Sequence, residues 1–280
     1  AENDMHVESV TAAHGENPEL VLRVAGALAL ESDHPVSRAL VKAAREARDT
    51  GAGGEDVPHW IEVSHAEDDG QGSFRGLVDL PLRARDGTVT VTQVEAVLWR
   101  PRTMSDLHGR LAAAVVSGGT PIVVRWKGKD RGVISLHDNV KADAEEAVEQ
   151  LEQQGIETVM LSRDTYPVAR RYADRIGISQ VLAGIAPGRK PHTVRSVHTQ
   201  GATVGMVGDV SVLSSLRVAD VGILMGDSDT SDDVDHLTHS GHPDVDIIVL
   251  RRDVSAIPQL IAQSRRVCRI IDTNIIFAWT

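Results

Sequence analysis

The fold class is decided by residues 203–226, TVGMVGDVSVLSSLRVADVGILMG. Two short apolar runs, 203–209 and 220–226, flank a segment with helical spacing of its apolar residues. The runs are continuously apolar instead of alternating with polar residues, which is typical of parallel strands buried on both faces. This stretch therefore predicts a strand–helix–strand unit of a parallel sheet.

The same alternation of strand and helix continues on both sides of this unit. Each further strand is short and apolar, and several of the helices between them end at a glycine. The whole of residues 131–270 is therefore predicted to form a doubly wound α/β domain whose parallel sheet is covered on both faces. The further predicted strands are GVISL (132–136), ETVML (157–161), QVLAG (180–184) and VDIIVL (245–250).

The first half of the chain has a different pattern. Two helices are predicted at 19–29 and 35–48, and from 59 to 135 short alternating runs indicate antiparallel strands, interrupted by a helix at about 103–117. We therefore expect a smaller α+β domain ahead of the parallel sheet. The predicted boundaries are 1–14 for a first segment of the second domain or its hinge, 15–130 for the α+β domain, 131–270 for the parallel-sheet domain, and 271–280 for the start of a transmembrane helix.

Length, composition and charge exclude several classes of protein. The chain has 280 residues, room for two domains, and 41% of them are hydrophobic, which argues against disorder. With 29 Lys and Arg against 40 Asp and Glu, its net charge of −11 argues against bulk nucleic-acid binding. A single cysteine, Cys268, favours a reducing compartment, and no apolar run is long enough to span a bilayer. The first ten residues lack the features of a signal peptide.

Acidic residues follow the predicted strands at the edge of the sheet where α/β proteins bind ligands. These are Asp138, Asp164 and Asp209, and Lys190 stands at the start of a helix between the last two. Each aspartate alone could be a helix N-cap. Together with the lysine they favour phosphate chemistry, because carboxylates hold a hard cation and lysine offsets phosphate charge.

These strand ends resemble those of the P-type cation-transporting ATPases. In that family a T-G-D strand end, a P-x-x-K helix start and a G-D-G-x-N-D strand end follow one another in the phosphorylation domain. The corresponding stretches here are SRD (162–164), PGRK (187–190) and GDV (208–210), and ADVGILMG (219–226) is similar to the family's next strand. DNVK (138–141) is similar to its D-x-x-K/R element.

The first half resembles the nucleotide-binding domain of the heavy-metal-transporting branch of that family. Glu31 and His34 lie in ESDHP, which is similar to the family's S-E-H-P element, where Glu and His bind the adenine end of ATP. Gly70 and Gly72 resemble the Gly-x-Gly turn that lets the backbone approach the nucleotide. The resemblance implies a haloacid-dehalogenase-like parallel sheet with an inserted nucleotide-binding domain.

The resemblance also implies a function and its cofactors. ATP held in the first domain would deliver its γ-phosphoryl group to an aspartate upstream of this chain, on a strand that would be central in the sheet. Asp164 and Lys190 would position that group, Asp138 would lie beside it, and Asp209 would hold Mg²⁺. The partners implied are ATP, membrane helices of the same full-length protein, and through them a metal cation, with the chain at the cytoplasmic face of a membrane. No nucleic-acid partner is expected.

The sequence departs from the family pattern in three places. Arg163 replaces the glycine of T-G-D, Val210 replaces the second glycine of G-D-G-x-N-D, and Trp99-Arg100 stands nearest to a Gly-Asn pair of the nucleotide domain. Two alternatives to a working ATPase therefore stay open. One is a catalytically silent nucleotide-binding or regulatory domain, and the other is a soluble phosphatase of the same fold, which would need a D-x-D strand.

Two remaining features have ordinary explanations. Residues 227–246 contain seven Asp and three His, His236, His239 and His242, which could bind a transition metal but are more typical of a solvated loop. Cys268 lies on an apolar helical stripe and is predicted to be buried.

Overall fold

A computed structural model describes residues 5–278, apart from 33, 55–56, 69–72, 85, 118, 226–244 and 251–252. Contacts divide the chain into two compact units. The first comprises residues 1–139 with 164–168, and the second comprises 140–163 with 169–280. The predictions for Gly70, Gly72 and the three histidines of the 227–246 segment fall outside the described residues.

The first unit contains a six-stranded sheet in which every neighbouring pair is antiparallel. Its strand order is β1-β6-β5-β4-β3-β2. The antiparallel pattern predicted from the alternating runs is thus confirmed. The strands are β1 (His6–Ala12), β2 (Val63–Asp68), β3 (Phe74–Arg83), β4 (Val89–Trp99), β5 (Thr120–Trp126) and β6 (Lys129–His137).

Helices cover both faces of this sheet. Helices α1 (Pro18–Leu28) and α2 (Pro35–Asp49) pack on one face, and α3 (Gly109–Ser117) packs on the other. Successive side chains of a strand point to opposite faces of the sheet. In β5, Ile122 and Val124 therefore pack in the larger core under α1 and α2, whereas Val123 packs on the α3 side. This larger core is built mainly from Val, Leu, Ile and Ala, as the scarcity of aromatic residues predicts.

The two helices of the larger core begin as the sequence predicts. Pro18 and Pro35 each occupy the first turn, where the missing N–H is not needed. Asn17 caps α1 by accepting a hydrogen bond from the backbone N–H of Glu19 at 2.9 Å. The predicted helix at 103–117 is shorter, because a separate 3₁₀ turn, Met104–Asp106, precedes α3.

The second unit alternates short parallel strands with helices. Parallel pairing is confirmed for β7 with β8 and for β9, β10 and β11. The strands are β7 (Val159–Leu161), β8 (Gln180–Leu182), β9 (Gly205–Gly208), β10 (Val221–Met225) and β11 (Ile247–Val249). The helices are α4 (Ala144–Gln153), α5 (Tyr166–Arg175), which crosses the unit boundary, α6 (Lys190–Thr199), α7 (Leu213–Leu216) and α8 (Ala256–Ala278).

The α/β fold class is confirmed, but the parallel strands do not form one continuous sheet among the described residues. They form a three-stranded sheet, β11-β10-β9, and a separate two-stranded sheet, β7-β8. Their apolar residues are correspondingly less buried than a doubly wound sheet requires, with Val159 42% and Val207 40% exposed. The sequence pattern identifies each of these strands. One continuous sheet would need a further strand to connect the two sheets, and the described residues do not contain it.

Two predictions about individual segments are wrong. GVISL is not the first strand of the parallel sheet, since it lies in β6 and pairs antiparallel with β5 and β1. Cys268 is exposed and not buried, and Val267 and Ile270 on the same helix are also exposed. Among the described residues, no helix has both the length and the hydropathy needed to cross a bilayer.

Candidate functional site

His34 is held in a defined orientation at the start of α2. It is the N-cap residue, and its Nδ1 accepts a hydrogen bond from the backbone N–H of Val36 at 3.2 Å. Its own backbone N–H donates to Oγ of Ser32 at 3.3 Å. Because Nδ1 acts as an acceptor, the neutral imidazole carries its proton on Nε2. The exposed ring can therefore offer an N–H donor to a ligand.

Glu31 is exposed in the turn between α1 and α2, three residues before His34. This turn places a carboxylate and an imidazole close together in the chain, at the end of the helix pair. The two glycines predicted to complete the nucleotide site, Gly70 and Gly72, lie in the segment between β2 and β3 that is not described.

Asp138 directly follows β6 and is buried, with 7% of its surface exposed. Just before it, His137 packs edge-to-face against His6 on the neighbouring strand, with ring centroids 5.4 Å apart. Burying a carboxylate costs free energy unless its surroundings compensate the charge. Asp138 is therefore a candidate site residue and not a member of the apolar core.

Asp164 follows β7 and interacts with Arg100, which follows β4. Burial lowers the pKa of the Arg100 guanidinium, and the carboxylate of Asp164 partly offsets this by favouring the charged form. Both residues belong to the first unit. The sequence indicates a place for Arg100 near a nucleotide contact but gives no sign of its interaction with Asp164, because the two residues are 64 positions apart.

Lys190 is the first residue of α6, where the sequence predicts it. A 3₁₀ turn, Pro187–Arg189, precedes it, and Pro191 occupies the first turn of the helix. The backbone N–H groups at such a helix start favour anions, and the lysine adds a full positive charge beside them.

Asp209 follows β9 and caps the next turn. Its Oδ1 accepts hydrogen bonds from the backbone N–H of Ser211 at 2.9 Å and from the Ser211 hydroxyl at 2.5 Å. The turn is tight, because a Cβ built on Gly208 would lie 2.2 Å from Cγ2 of Val212. The capping role that the sequence left open for Asp209 is therefore real, while the exposed carboxylate still faces solvent at the strand end.

The predicted residues fall into both units. Glu31, His34, Asp138 and Asp164 belong to the first, whereas Lys190 and Asp209 belong to the second. Among the residues that the structure describes, no three His, Cys, Asp or Glu side chains are grouped so that they could hold a metal ion by themselves.

Sequence comparison identifies relatives along most of the chain. It is 28% identical over 249 residues to a copper-exporting P-type ATPase of Staphylococcus haemolyticus, covering 89% of this chain and 28% of that protein. It is 26% identical over 273 residues to a zinc-transporting ATPase of Bacillus subtilis, covering 97% of this chain and 39% of the relative. The chain thus spans well under half the length of these curated relatives.

Structural comparison supports the fold. The catalytic domain of the CPx-ATPase CopB-B, solved in a study of conformational changes upon nucleotide binding, matches with a TM-score of 0.62 and 19% identity. The match covers 92% of this chain and 83% of that one. The hydrolase family described as haloacid dehalogenase-like hydrolase matches residues 4–211. The chain therefore belongs to the haloacid dehalogenase-like hydrolase family, and it matches the catalytic domains of heavy-metal P-type ATPases.

Proposed function

We propose that this chain is the ATP-binding and phosphorylation portion of a P-type ATPase that couples ATP hydrolysis to metal-cation transport across a membrane. One observation carries the proposal: Asp164 and Asp209 follow the parallel strands β7 and β9, and Lys190 starts helix α6 between them in the sequence. Asp138 follows β6, whose neighbours are antiparallel, so the predicted place of Asp138 at an end of the parallel sheet is wrong. Asp164, Lys190 and Asp209 occur in a chain whose relatives are named for copper export and zinc transport. Strand ends of this kind are where α/β proteins handle phosphate.

The first unit would bind the adenine end of ATP. His34 presents its Nε2–H because Nδ1 is engaged by the Val36 backbone, and this donor suits an acceptor nitrogen of a purine. Glu31, exposed on the same turn, is an acceptor that suits the exocyclic amine. Gly70 and Gly72 would let the backbone approach the nucleotide, since glycine has no Cβ to obstruct it.

Asp164 and Lys190 would each help to position the phosphoryl group, and Asp138 is proposed as a further catalytic residue. Phosphoryl transfer depends mostly on positioning and on charge stabilisation, so the lysine would offset negative charge and the carboxylates would fix the orientation. Arg100 interacts with Asp164, and the charge of that carboxylate favours the charged guanidinium.

The carboxylate of Asp209 fits Mg²⁺ by its chemistry, since hard oxygen ligands are those that this ion prefers. Mg²⁺ usually keeps several waters and uses one or two carboxylates together with substrate phosphates, so a cluster of three protein ligands is not required. When bound, the ion would neutralise phosphate charge. The hydrogen bonds from Ser211 orient the Asp209 carboxylate for this role.

The remaining partners follow from the same proposal. The chain would act with membrane helices of the full-length protein, which would carry the metal cation, and would lie at the cytoplasmic face of the membrane. No part of the proposal involves nucleic acid, since an acidic chain does not favour it.

The nucleotide site is tested by binding of a fluorescent ATP analogue to the chain and to substituted variants. His34→Asn keeps a side-chain acceptor at the N-cap but removes the imidazole, so helix α2 should survive while affinity falls by about tenfold, the effect of one lost hydrogen bond. The matched control is His108→Ala, which replaces an exposed histidine outside this turn. Equal affinity of His34→Asn and the unsubstituted chain would refute the assignment.

A further inference from the structure

The last helix, α8, is buried only near its start. Ile257 has 3% of its surface exposed, whereas every residue from 262 to 270 is exposed. Nine consecutive residues make about two and a half turns of an α-helix, so this stretch is exposed on all of its sides. Residues 262–270 are the exposed segment of α8.

The start of α8 is fixed by three hydrogen bonds to residues at the two ends of α4. The backbone N–H of Ser255 donates to Oδ2 of Asp143 at 2.8 Å. Nε2 of Gln154 donates to the carbonyl of Pro258 at 3.0 Å, and the carbonyl of Gln154 accepts from Nη1 of Arg265 at 2.7 Å. The exposed segment therefore continues from an anchored base.

The exposed segment is basic, although the chain as a whole is acidic. It contains Arg265, Arg266 and Arg269, and no Asp or Glu occurs between Asp253 and Asp272. The net charge of the chain is −11. Contact with an anionic surface is therefore favoured at this helix by its arginines and opposed by the overall charge.

Two large apolar side chains lie beside these arginines. Val267 is 49% exposed and Ile270 is 52% exposed. They are three positions apart, so they share one side of the helix. Arg266 and Arg269 are also three positions apart and share the adjacent side. The exposed segment thus presents an apolar side next to a basic side.

This combination suits the surface of an anionic phospholipid bilayer. Guanidinium groups bind phosphate through paired N–H donors, and a bilayer offers phosphate directly above its acyl chains. A helix lying at this interface would turn Val267 and Ile270 towards the acyl chains while its arginines reach the phosphates. A purely acidic polypeptide would pair with the arginines and leave both apolar side chains in water.

We propose that the exposed segment of α8 binds the surface of an anionic phospholipid bilayer, with Arg266 and Arg269 at lipid phosphates. Val267 and Ile270 enter the interfacial region between them and the acyl chains. Arg265 adds positive charge while its hydrogen bond to Gln154 holds the base of the segment. The inference goes beyond the proposed function, because it depends on the surface of α8 and not on nucleotide binding or phosphoryl transfer.

The test measures binding of the full chain to vesicles of phosphatidylcholine, with and without phosphatidylglycerol. Cys268, the single cysteine, is exposed within the segment, so an environment-sensitive fluorophore attached there reports contact at this place. Sedimentation of the unlabelled chain with the vesicles shows that the label does not cause the binding. We expect a blue-shifted emission and co-sedimentation with the anionic vesicles alone, and both should weaken at least about tenfold between about 0.1 and 0.5 M salt.

The arginines are tested by a double variant with a control of equal charge. Arg266→Gln with Arg269→Gln should weaken binding to the anionic vesicles by about twenty- to thirtyfold, at about fivefold for each arginine near the surface. The control, Arg110→Gln with Arg195→Gln, removes the same charge from exposed residues of α3 and α6 and should leave binding nearly unchanged.

The apolar side is tested by Val267→Asn with Ile270→Asn, which keeps the charge and should weaken binding at least about fivefold, because apolar surface no longer enters the interface. Unchanged circular dichroism shows that each variant stays folded. Three results would each overturn the proposal: equal binding to neutral and anionic vesicles, unchanged binding of the arginine variant, or an equal loss in the control. A fluorophore response to polyglutamate as strong as that to the anionic vesicles would also overturn it and identify an acidic polypeptide as the partner.

Discussion

The turn that holds Asp209 depends on the absence of a side chain at Gly208. A Cβ on this residue would meet Cγ2 of Val212 at 2.2 Å, well below the closest contacts that carbon atoms make in proteins. Its φ lies outside the left-handed region, so alanine is allowed by the backbone and only the clash opposes it. Gly208→Ala should therefore force Val212 or the turn to move.

The size of the effect follows from overpacking. Forcing an extra carbon into a packed site typically destabilises by about 1–3 kcal/mol. Val212 is 9% exposed, so Val212→Ala alone should destabilise by about 1.6 kcal/mol, at about 0.8 kcal/mol for each buried carbon removed. In the double variant the added Cβ occupies part of the space that Val212 leaves. The double variant should therefore be more stable than the sum of the two single effects by about 1–3 kcal/mol.

The assay is urea unfolding of the three variants by far-UV circular dichroism, combined with hydrogen exchange of the amides in residues 205–216. Exchange localises the change to β9 and the following turn. Strictly additive destabilisation, or an unchanged exchange pattern in Gly208→Ala, would refute the argument that the clash shapes this turn.

The remaining predictions concern two charged clusters. The pKa of Asp220 is lowered, mainly because its carboxylate accepts a hydrogen bond from the backbone N–H of Val204, so its contribution to stability is present above the ordinary pKa of 3.8 and is lost as pH falls below it. Asp220→Asn should therefore flatten the acid side of a pH–stability curve, and an unchanged acid limb would contradict this. Asp130 accepts hydrogen bonds from Trp99 Nε1 at 3.0 Å and Arg125 Nε at 2.7 Å, so Asp130→Ala should lower the free energy of urea unfolding by about 1.5–3 kcal/mol. A loss below about 0.5 kcal/mol would show that solvent replaces both bonds.

Local patterns predicted the elements well. The apolar spacing of α1, the proline at the start of α2 and the alternating residues of β3 and β4 identify those elements from sequence alone, because helix starts and strand periods depend on a few neighbouring residues. The acidic residues after β7 and β9 were found in the same way.

Pairings between distant segments were not predictable in the same way. An apolar run such as GVISL identifies a strand but not its partner, and β6 pairs with β1, more than a hundred residues away along the chain. Arg23 stands in an apolar helical pattern where a charged residue is the one available signal, but its burial and its hydrogen bonds depend on the distant carbonyls of Ala52 and His59. The interaction of Arg100 with Asp164 likewise depends on tertiary structure.

The central claim is that these strand ends carry out phosphoryl transfer. Its most direct test is formation of an acid-stable phosphoenzyme by the full-length protein, given ATP labelled in the γ-phosphate and Mg²⁺. The account predicts a phosphoenzyme whose formation is strongly reduced by Asp164→Asn and by Lys190→Ala, with Arg110→Gln as the unaffected control. No phosphoenzyme from a protein that still binds the ATP analogue would contradict the account and identify a catalytically silent nucleotide-binding domain.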